Sequence, residues 1–162
     1  MTQLYLTLGS KSVLQEIQKN NPRRPLKLYH PDSMGEKDNL LLEVTGRSSV
    51  FKQPAQYDLI AGDAFASLRN FLHLFYFTFN DDENDHYRNR LIKVVTQLAQ
   101  QDQVALLGIQ KDIRKKFLLL TSWPNAQQYQ LFQQSPLFDQ IKDLADQSAN
   151  DWSFYEISYS LE

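Results

Sequence analysis

The stretch Ser122–Lys142, SWPNAQQYQLFQQSPLFDQIK, contains the end of a strand and the starts of two helices. The apolar run KKFLLLT lies directly before it and predicts a buried strand that ends at Trp123. Asn125 is a typical helix N-cap. Ser135 followed by Pro136 predicts a second helix start, because proline fits the first position of a helix. The stretch therefore predicts a strand followed by two short helices.

The segments around this stretch predict a ferredoxin-like unit. Residues 70–79, NFLHLFYFTF, are rich in aromatic side chains that favour a strand. Residues 80–101 place apolar side chains at helical spacing, and three further strands are predicted over 103–110, 115–123 and 151–161. The order strand, helix, strand, strand, helix, strand is that of ferredoxin-like folds.

The first part of the chain predicts a similar order without the last strand. It begins with a strand, a helix and two strands, and residues 54–62, PAQYDLIAG, are predicted as a short helix. We therefore expect an α+β fold with two pseudo-repeated β-α-β-β-α units. Residues 1–65 would form an amino-terminal partial ferredoxin-like subdomain and residues 66–162 a complete one. The two sheets would pack face to face in a monomer with an internal pseudo-dimer, and a homodimer is the alternative.

Composition excludes several classes of function. The formal net charge is -2, and the basic residues of the chain are not concentrated in one segment. Nucleic acid is therefore not expected as a partner, because phosphate binding needs a concentrated basic surface. The chain has no cysteine, which excludes disulfides, thiol nucleophiles and iron–sulfur clusters. No apolar run approaches the roughly 20 residues of a transmembrane helix, and the first residues lack a signal-peptide pattern. We expect a cytoplasmic protein without a transmembrane segment.

Few residues indicate chemistry directly. The three histidines, His30, His73 and His86, have no metal-ligand spacing, and no phosphate-binding glycine loop occurs. The acidic run NDDENDH over 80–86 is interpreted as a solvated helix N-terminus rather than a cation site, so no metal is expected. His73 shares one face of its strand with several phenylalanines, and the other face is apolar too, so we expect this strand to be covered on both faces. We interpret it as a core histidine bonded to backbone or water, with an axial ligand or proton shuttle as the alternative.

The spacing of Trp123, Tyr129, Phe132, Ser135 and Phe138 resembles the signature of the antibiotic-biosynthesis-monooxygenase superfamily. In that superfamily a strand ends in Trp, a short helix follows, and a Ser-x-x-Phe step opens the next helix. The whole chain is similar to the two-part heme-degrading monooxygenases and to the TRAP-like proteins (target of RNAIII-activating protein). The resemblance implies a ferredoxin-like dimeric α+β barrel.

The resemblance also points to three positions where the heme-degrading enzymes have Asn, Trp and His. In this chain those positions hold Phe75, Phe132 and Lys142. Phenylalanine cannot donate a hydrogen bond to iron-bound oxygen, and a protonated lysine has no lone pair for iron. The resemblance therefore implies no catalytic residue and a non-catalytic TRAP-like relative with a ligand-binding or regulatory role. No cofactor is expected, although heme is kept as an alternative.

Candidate pocket positions are His73, Phe75, Phe132 and Lys142. Between the two sheets His73, Phe75 and Phe132 would line a pocket for a small apolar ligand or heme, and the alternative is that their rings fill this space completely. The alternative function is a heme-degrading monooxygenase with His73 as a rebuilt ligand, or a cofactor-free monooxygenase. A protein-interaction module in signalling is a third hypothesis. The TRAP-like branch has histidine at the Asn70–Phe71 step and at a place where this chain has Glu83. Signalling through phosphohistidine is therefore not favoured.

Overall fold

The computed structural model describes residues 2–32, 35, 38–80, 84–114, 116–147 and 154–162. These residues form eight strands and four helices, in the order β1 (Gln3–Gly9), α1 (Lys11–Asn20), β2 (Lys27–Pro31), β3 (Asn39–Thr45), β4 (Ala55–Ala61), β5 (Phe71–Thr78), α2 (Asn84–Gln100), β6 (Val104–Gln110), β7 (Lys116–Trp123), α3 (Ala126–Phe132), α4 (Pro136–Asp146) and β8 (Tyr155–Leu161).

The eight strands close into one antiparallel barrel in the order β1-β3-β2-β8-β5-β7-β6-β4. Pairing of β4 with β1 completes the circle, and the pairs β2–β8 and β4–β6 join the first four strands to the last four. The order β2-β3-β1-β4 in the first half has the same connectivity as β6-β7-β5-β8 in the second. The α+β fold is confirmed. The division at residue 65 and the pseudo-repeat stay predictions.

The short helix predicted over 54–62 is wrong, because this segment is strand β4. Tyr57 pairs with Leu4 on one side and Gln110 on the other, so the segment bridges two strands of the barrel. Hydrogen bonding to both neighbours outweighs a weak local helix signal. The first half therefore has the final strand that we expected it to lack, and has no helix between β3 and β4.

The core consists of an interior cluster and two outer clusters. Leucine and tyrosine side chains fill the inside of the barrel. Helices α2, α3 and α4 cover the outer face of the β5–β7 region with a largely aromatic cluster, whereas α1 covers a smaller cluster on β1, β2 and β3. Leu72 and Leu74 of β5 point into the barrel, while Phe75 and Phe77 point to the helices. The prediction that this strand is covered on both faces is confirmed.

The helix starts predicted around Trp123 are confirmed. Asn125 Oδ1 accepts a hydrogen bond from the Gln128 amide at 3.0 Å, and Ser135 Oγ accepts one from the Phe138 amide at 3.3 Å. Pro136 occupies the first turn of α4. These caps satisfy amide groups that a helix leaves unpaired, and they fix where α3 and α4 leave the end of β7.

Among the residues described, none of the helices has the length and apolar character that crossing a membrane requires.

Candidate functional site

Three of the candidate pocket positions, His73, Phe75 and Phe132, lie between the sheet and the helices, not between two sheets as expected. His73 and Phe75 project from the outer face of β5, where their rings touch and Tyr129 of α3 packs on His73. Their neighbours in the strand, Leu72 and Leu74, fill the barrel interior instead. Side chains alternate along a strand, so the face that carries His73 is necessarily the face opposite the barrel interior.

Aromatic rings fill the space around Phe75 and Phe132. The His73 imidazole stacks on the Tyr129 ring with centroids 4.4 Å apart and an interplanar angle of 15°, and it lies 4.6 Å from the Phe75 ring. Phe132 packs on Trp123 at 4.8 Å. Phe75 is only 1% exposed and Phe132 only 6%. The two phenylalanines are therefore part of a packed cluster.

Lys142 does not join this cluster. It is exposed on α4, and its Nζ lies 5.9 Å from the centroid of the Phe138 ring, within reach of a cation–π contact. The structure thus brings His73 and Phe75 into direct contact and links Phe132 to them through Tyr129. Lys142 lies outside, in contact with a ring that packs on Phe132.

Both ring nitrogens of His73 have hydrogen-bond partners. Nδ1 lies 2.5 Å from Ser158 Oγ, and Nε2 lies 2.9 Å from a carboxylate oxygen of Glu156. The His73 carbonyl accepts from Thr121, whose hydroxyl in turn accepts from the Trp123 indole. His73 is therefore a buried, bonded histidine as expected, but side chains of β8 rather than backbone or water satisfy its ring.

Sequence reasoning missed Ser158 and Glu156. Alternation in the segment YEISYSL places Glu156 and Ser158 on one face, and this pattern is readable from the sequence. The pairing of Ser158 with His73 is not, because it depends on the register between β5 and β8.

Tyr129 lies in a strongly desolvated position. Burial raises the pKa of its phenol far above the ordinary value, and the nearby Glu156 carboxylate raises the pKa further, while Gln133 acts in the opposite direction. The Tyr129 phenol is therefore neutral around neutral pH. The surroundings of His73 are thus one phenol, one serine hydroxyl, one carboxylate and apolar rings.

Other residues singled out in the sequence do not come together. His86 is exposed on α2 and Asn70 is exposed before β5, while Glu83 and the rest of the acidic run at 81–83 lie outside the described residues. Across the described part of the chain, no three His, Asp or Glu side chains are grouped closely enough to hold a metal ion.

A surface groove of about 920 Å³ lies away from the aromatic cluster. It runs between α1 and residues 50–53, and Val13, Ile17 and Phe51 provide much of its apolar lining. This groove lies on the half of the barrel that has no helix between β3 and β4. Sequence analysis did not mark it.

Comparison with solved structures identifies the architecture. A major regulator of staphylococcal pathogenesis superposes with a TM-score of 0.82 at 20% identity, covering 98% of each chain. A ferredoxin-fold protein from Listeria monocytogenes related to antibiotic biosynthesis monooxygenases superposes with a TM-score of 0.83 at 16% identity, covering 100% of this chain and 95% of that one. The chain has this monooxygenase-like fold.

A heme-degrading enzyme from Listeria monocytogenes has the monooxygenase-like fold too, with a TM-score of 0.77 at 16% identity over 99% of each chain. These likenesses establish the fold, since all three identities are low. No protein-family model matches the chain. No curated protein matches it in sequence.

The residues around His73 do not fit a heme iron in this arrangement. Nε2 is bonded to Glu156 and Nδ1 to Ser158, so neither ring nitrogen is left to bind a metal. The Tyr129 ring lies flat on the imidazole and occupies the space beside it. Lys142, at the position of the iron ligand in the resemblance, is outside the cluster. A heme ligated through Nε2 of His73 would have to displace Tyr129 and break the contact between His73 and Glu156.

Proposed function

We propose that this protein is a non-catalytic, TRAP-like relative of the heme-degrading monooxygenases, with a regulatory or ligand-binding role. The observation that carries the proposal is the packed ring cluster of His73, Phe75 and Tyr129 on the outer face of β5. In this cluster neither His73 nor Phe75 is free to bind iron or to donate a hydrogen bond to bound oxygen. Phe75 offers only a ring, and both nitrogens of His73 are engaged.

The likeness to the staphylococcal regulator supports a regulatory role, because the two chains match over 98% of both lengths. A regulatory protein needs a surface or a pocket that changes with a signal, and it does not need a reactive centre. We therefore assign signalling to this protein as part of the proposal, with cytoplasmic location as a companion prediction. The expected small apolar ligand also stays a prediction.

The alternative function is a heme-degrading monooxygenase with a rebuilt site. The heme-degrading enzyme with the same fold favours it. In this alternative His73 would give up its contact with Glu156 and bind iron through Nε2, and Tyr129 would swing away. The Glu156 side chain is 45% exposed, so solvent screens its contact with His73 and makes this contact easier to break than the buried ring stack.

A heme titration followed at the Soret band distinguishes the two functions. The wild-type protein is expected to give only weak, non-saturating binding that is unchanged in His73→Ala. The variant His86→Ala is the matched control, because His86 is an exposed histidine away from the cluster. Tight one-to-one binding that is lost in His73→Ala and kept in His86→Ala would contradict the proposal. Release of iron with a reductant and oxygen would then establish heme degradation.

A further inference from the structure

Ser158, His73 and Glu156 form a continuous hydrogen-bonded chain on the outer face of the sheet. His73 and Ser158 are direct register partners in the β5–β8 pair, and Glu156 is the next residue of β8 on the same face. The Ser158 Oγ to Nδ1 distance is 2.5 Å and the Nε2 to Glu156 Oε1 distance is 2.9 Å. Two neighbouring strands thus hold a serine, an imidazole and a carboxylate in a line.

The direction of these hydrogen bonds follows from the groups involved. A carboxylate can only accept, so in the neutral imidazole Nε2 carries the proton and donates it to Glu156. Nδ1 is then an acceptor, and the Ser158 hydroxyl donates to it. The Glu156 carboxylate therefore fixes this tautomer and the orientation of the ring. A serine bonded to a base that a third group orients is the arrangement of an activated nucleophile.

The side chains that surround the base preserve this arrangement. His73 is 6% exposed and stacks on Tyr129, so the ring cannot rotate without breaking that stack. Ser158 is partly exposed, and the Glu156 side chain is 45% exposed. The hydrogen-bonded chain of Ser158, His73 and Glu156 therefore has a buried, fixed base, and its two β8 side chains reach solvent. In the serine-protease triad Nε2 faces the serine and Nδ1 faces the carboxylate. Here Nδ1 faces Ser158 and Nε2 faces Glu156.

We propose that Ser158 is a reactive serine that captures an acyl group from an activated ester. Ser158 Oγ attacks the ester carbonyl carbon while its proton passes to Nδ1 of His73. The bond between the carbonyl carbon and the leaving oxygen then breaks, and that oxygen takes the proton from the imidazolium. The products are an acyl ester on Ser158, the free alcohol and a neutral His73. Each protein molecule would be acylated once, on Ser158. This reactivity does not depend on the proposed regulatory role and is compatible with it.

Ser160 provides an internal control. It lies two residues further along β8 on the same face and is partly exposed like Ser158. Its hydroxyl donates to the carboxylate of Asp32 at 2.8 and 2.9 Å, although a histidine, His30, is its register partner on β2. Ser158 and Ser160 thus differ in the group bonded to their hydroxyl, an imidazole or a carboxylate. Comparing their reactivity separates activation by His73 from simple exposure.

Acetylation by p-nitrophenyl acetate tests the inference with the full chain. Wild-type protein is expected to release one equivalent of p-nitrophenolate in a burst, and mass spectrometry of its peptides is expected to place one acetyl group on Ser158. Ser158→Ala should abolish the burst, and Ser160→Ala should leave it unchanged. His73→Gln should slow the burst about 100-fold or more, the usual contribution of a general base.

Glu156→Gln keeps the inference testable if His73→Gln fails to fold, because Glu156 is half exposed and its loss should spare the core. We expect Glu156→Gln to slow acetylation while its thermal unfolding midpoint stays near that of the wild type. Three results would overturn the inference: no acetyl group on Ser158, acetylation of Ser160 at the same rate, or a burst in folded Glu156→Gln that is as fast as in the wild type.

Discussion

The ion pair between Arg24 and Glu43 gives the sharpest test of how the first half of the barrel is held together. Arg24 lies just after α1 and reaches over the outer face of β3, where its Nε and one terminal nitrogen each donate to a Glu43 oxygen at 2.7 Å. The same terminal nitrogen donates to the Ser48 carbonyl at 2.7 Å. The side chains are 9% and 1% exposed. The hydrogen bond to Glu43 raises the pKa of Arg24, so the guanidinium stays charged.

Arg24→Ala would leave the Glu43 carboxylate buried without a partner. Breaking one side of a buried ion pair costs about 3–5 kcal/mol, because the remaining charge keeps its desolvation penalty. Arg90→Ala is the control, since Arg90 and Asp143 form a 2.8 Å pair whose side chains are 29% and 55% exposed. An exposed pair of this kind contributes about 0–1 kcal/mol. Urea unfolding followed by circular dichroism measures both free energies.

The double variant Arg24→Met with Glu43→Leu separates charge from packing. Replacing both members of a buried pair by apolar side chains is often neutral, so the double variant should recover most of the stability that Arg24→Ala loses. If Arg24→Ala loses no more than Arg90→Ala, then Glu43 is not stranded and the reasoning is wrong. A double variant less stable than Arg24→Ala would show that the pair contributes net stability beyond avoiding an unpaired charge.

Three further predictions follow from the barrel. Burial raises the pKa of Tyr57 to about 12, so the folded state holds the phenol proton more tightly than the unfolded state. The free energy of unfolding should therefore fall as the pH rises from about 10 toward 12. Urea unfolding at successive pH values should show a smaller fall in Tyr57→Phe. Gly62 has φ +104°, and an added Cβ would lie 2.3 Å from the Ala105 carbonyl oxygen. Gly62→Ala should therefore lower the free energy of unfolding by more than about 1 kcal/mol. Gly46 has open space around it, so Gly46→Ala should change this free energy by less than about 0.5 kcal/mol. Equal effects of the two substitutions would contradict this account. All eight strands pair within one chain, so light scattering at low concentration should give the mass of a monomer, and an obligate dimer would count against the internal pseudo-dimer.

Local signals predicted the second half of the chain well. Asn125, Ser135 and Pro136 act within one helical turn of their own position, so their effect does not depend on distant residues. The same holds for the alternation in β5, which predicted a strand covered on both faces. Segment 54–62 failed because Pro54 and Gly62 resemble helix ends, whereas the segment becomes a strand only through its pairing with β1 and β6.

The candidate site was predictable only in part. Burial of His73, Phe75 and Phe132 follows from apolar patterns, and the structure has all three buried. Leu131 of the same segment is 62% exposed, because α3 turns Tyr129 and Phe132 toward the core and Leu131 toward solvent. Lys142 was expected at the pocket and lies outside it, since α4 presents Ile141 and Leu144 to the core instead.

The sequence by itself determined the elements with strong local patterns: the aromatic strand β5, the capped helices after Trp123, and the replacement of Asn, Trp and His by Phe75, Phe132 and Lys142 within the resemblance. Only the tertiary structure decided which side chains meet across strands. The partners of His73 lie more than 80 residues away in the chain. They reach it because β8 enters the barrel between β2 and β5 in one register. Register depends on the closure of the whole barrel, and for this reason the serine, imidazole and carboxylate chain is visible only in the folded molecule.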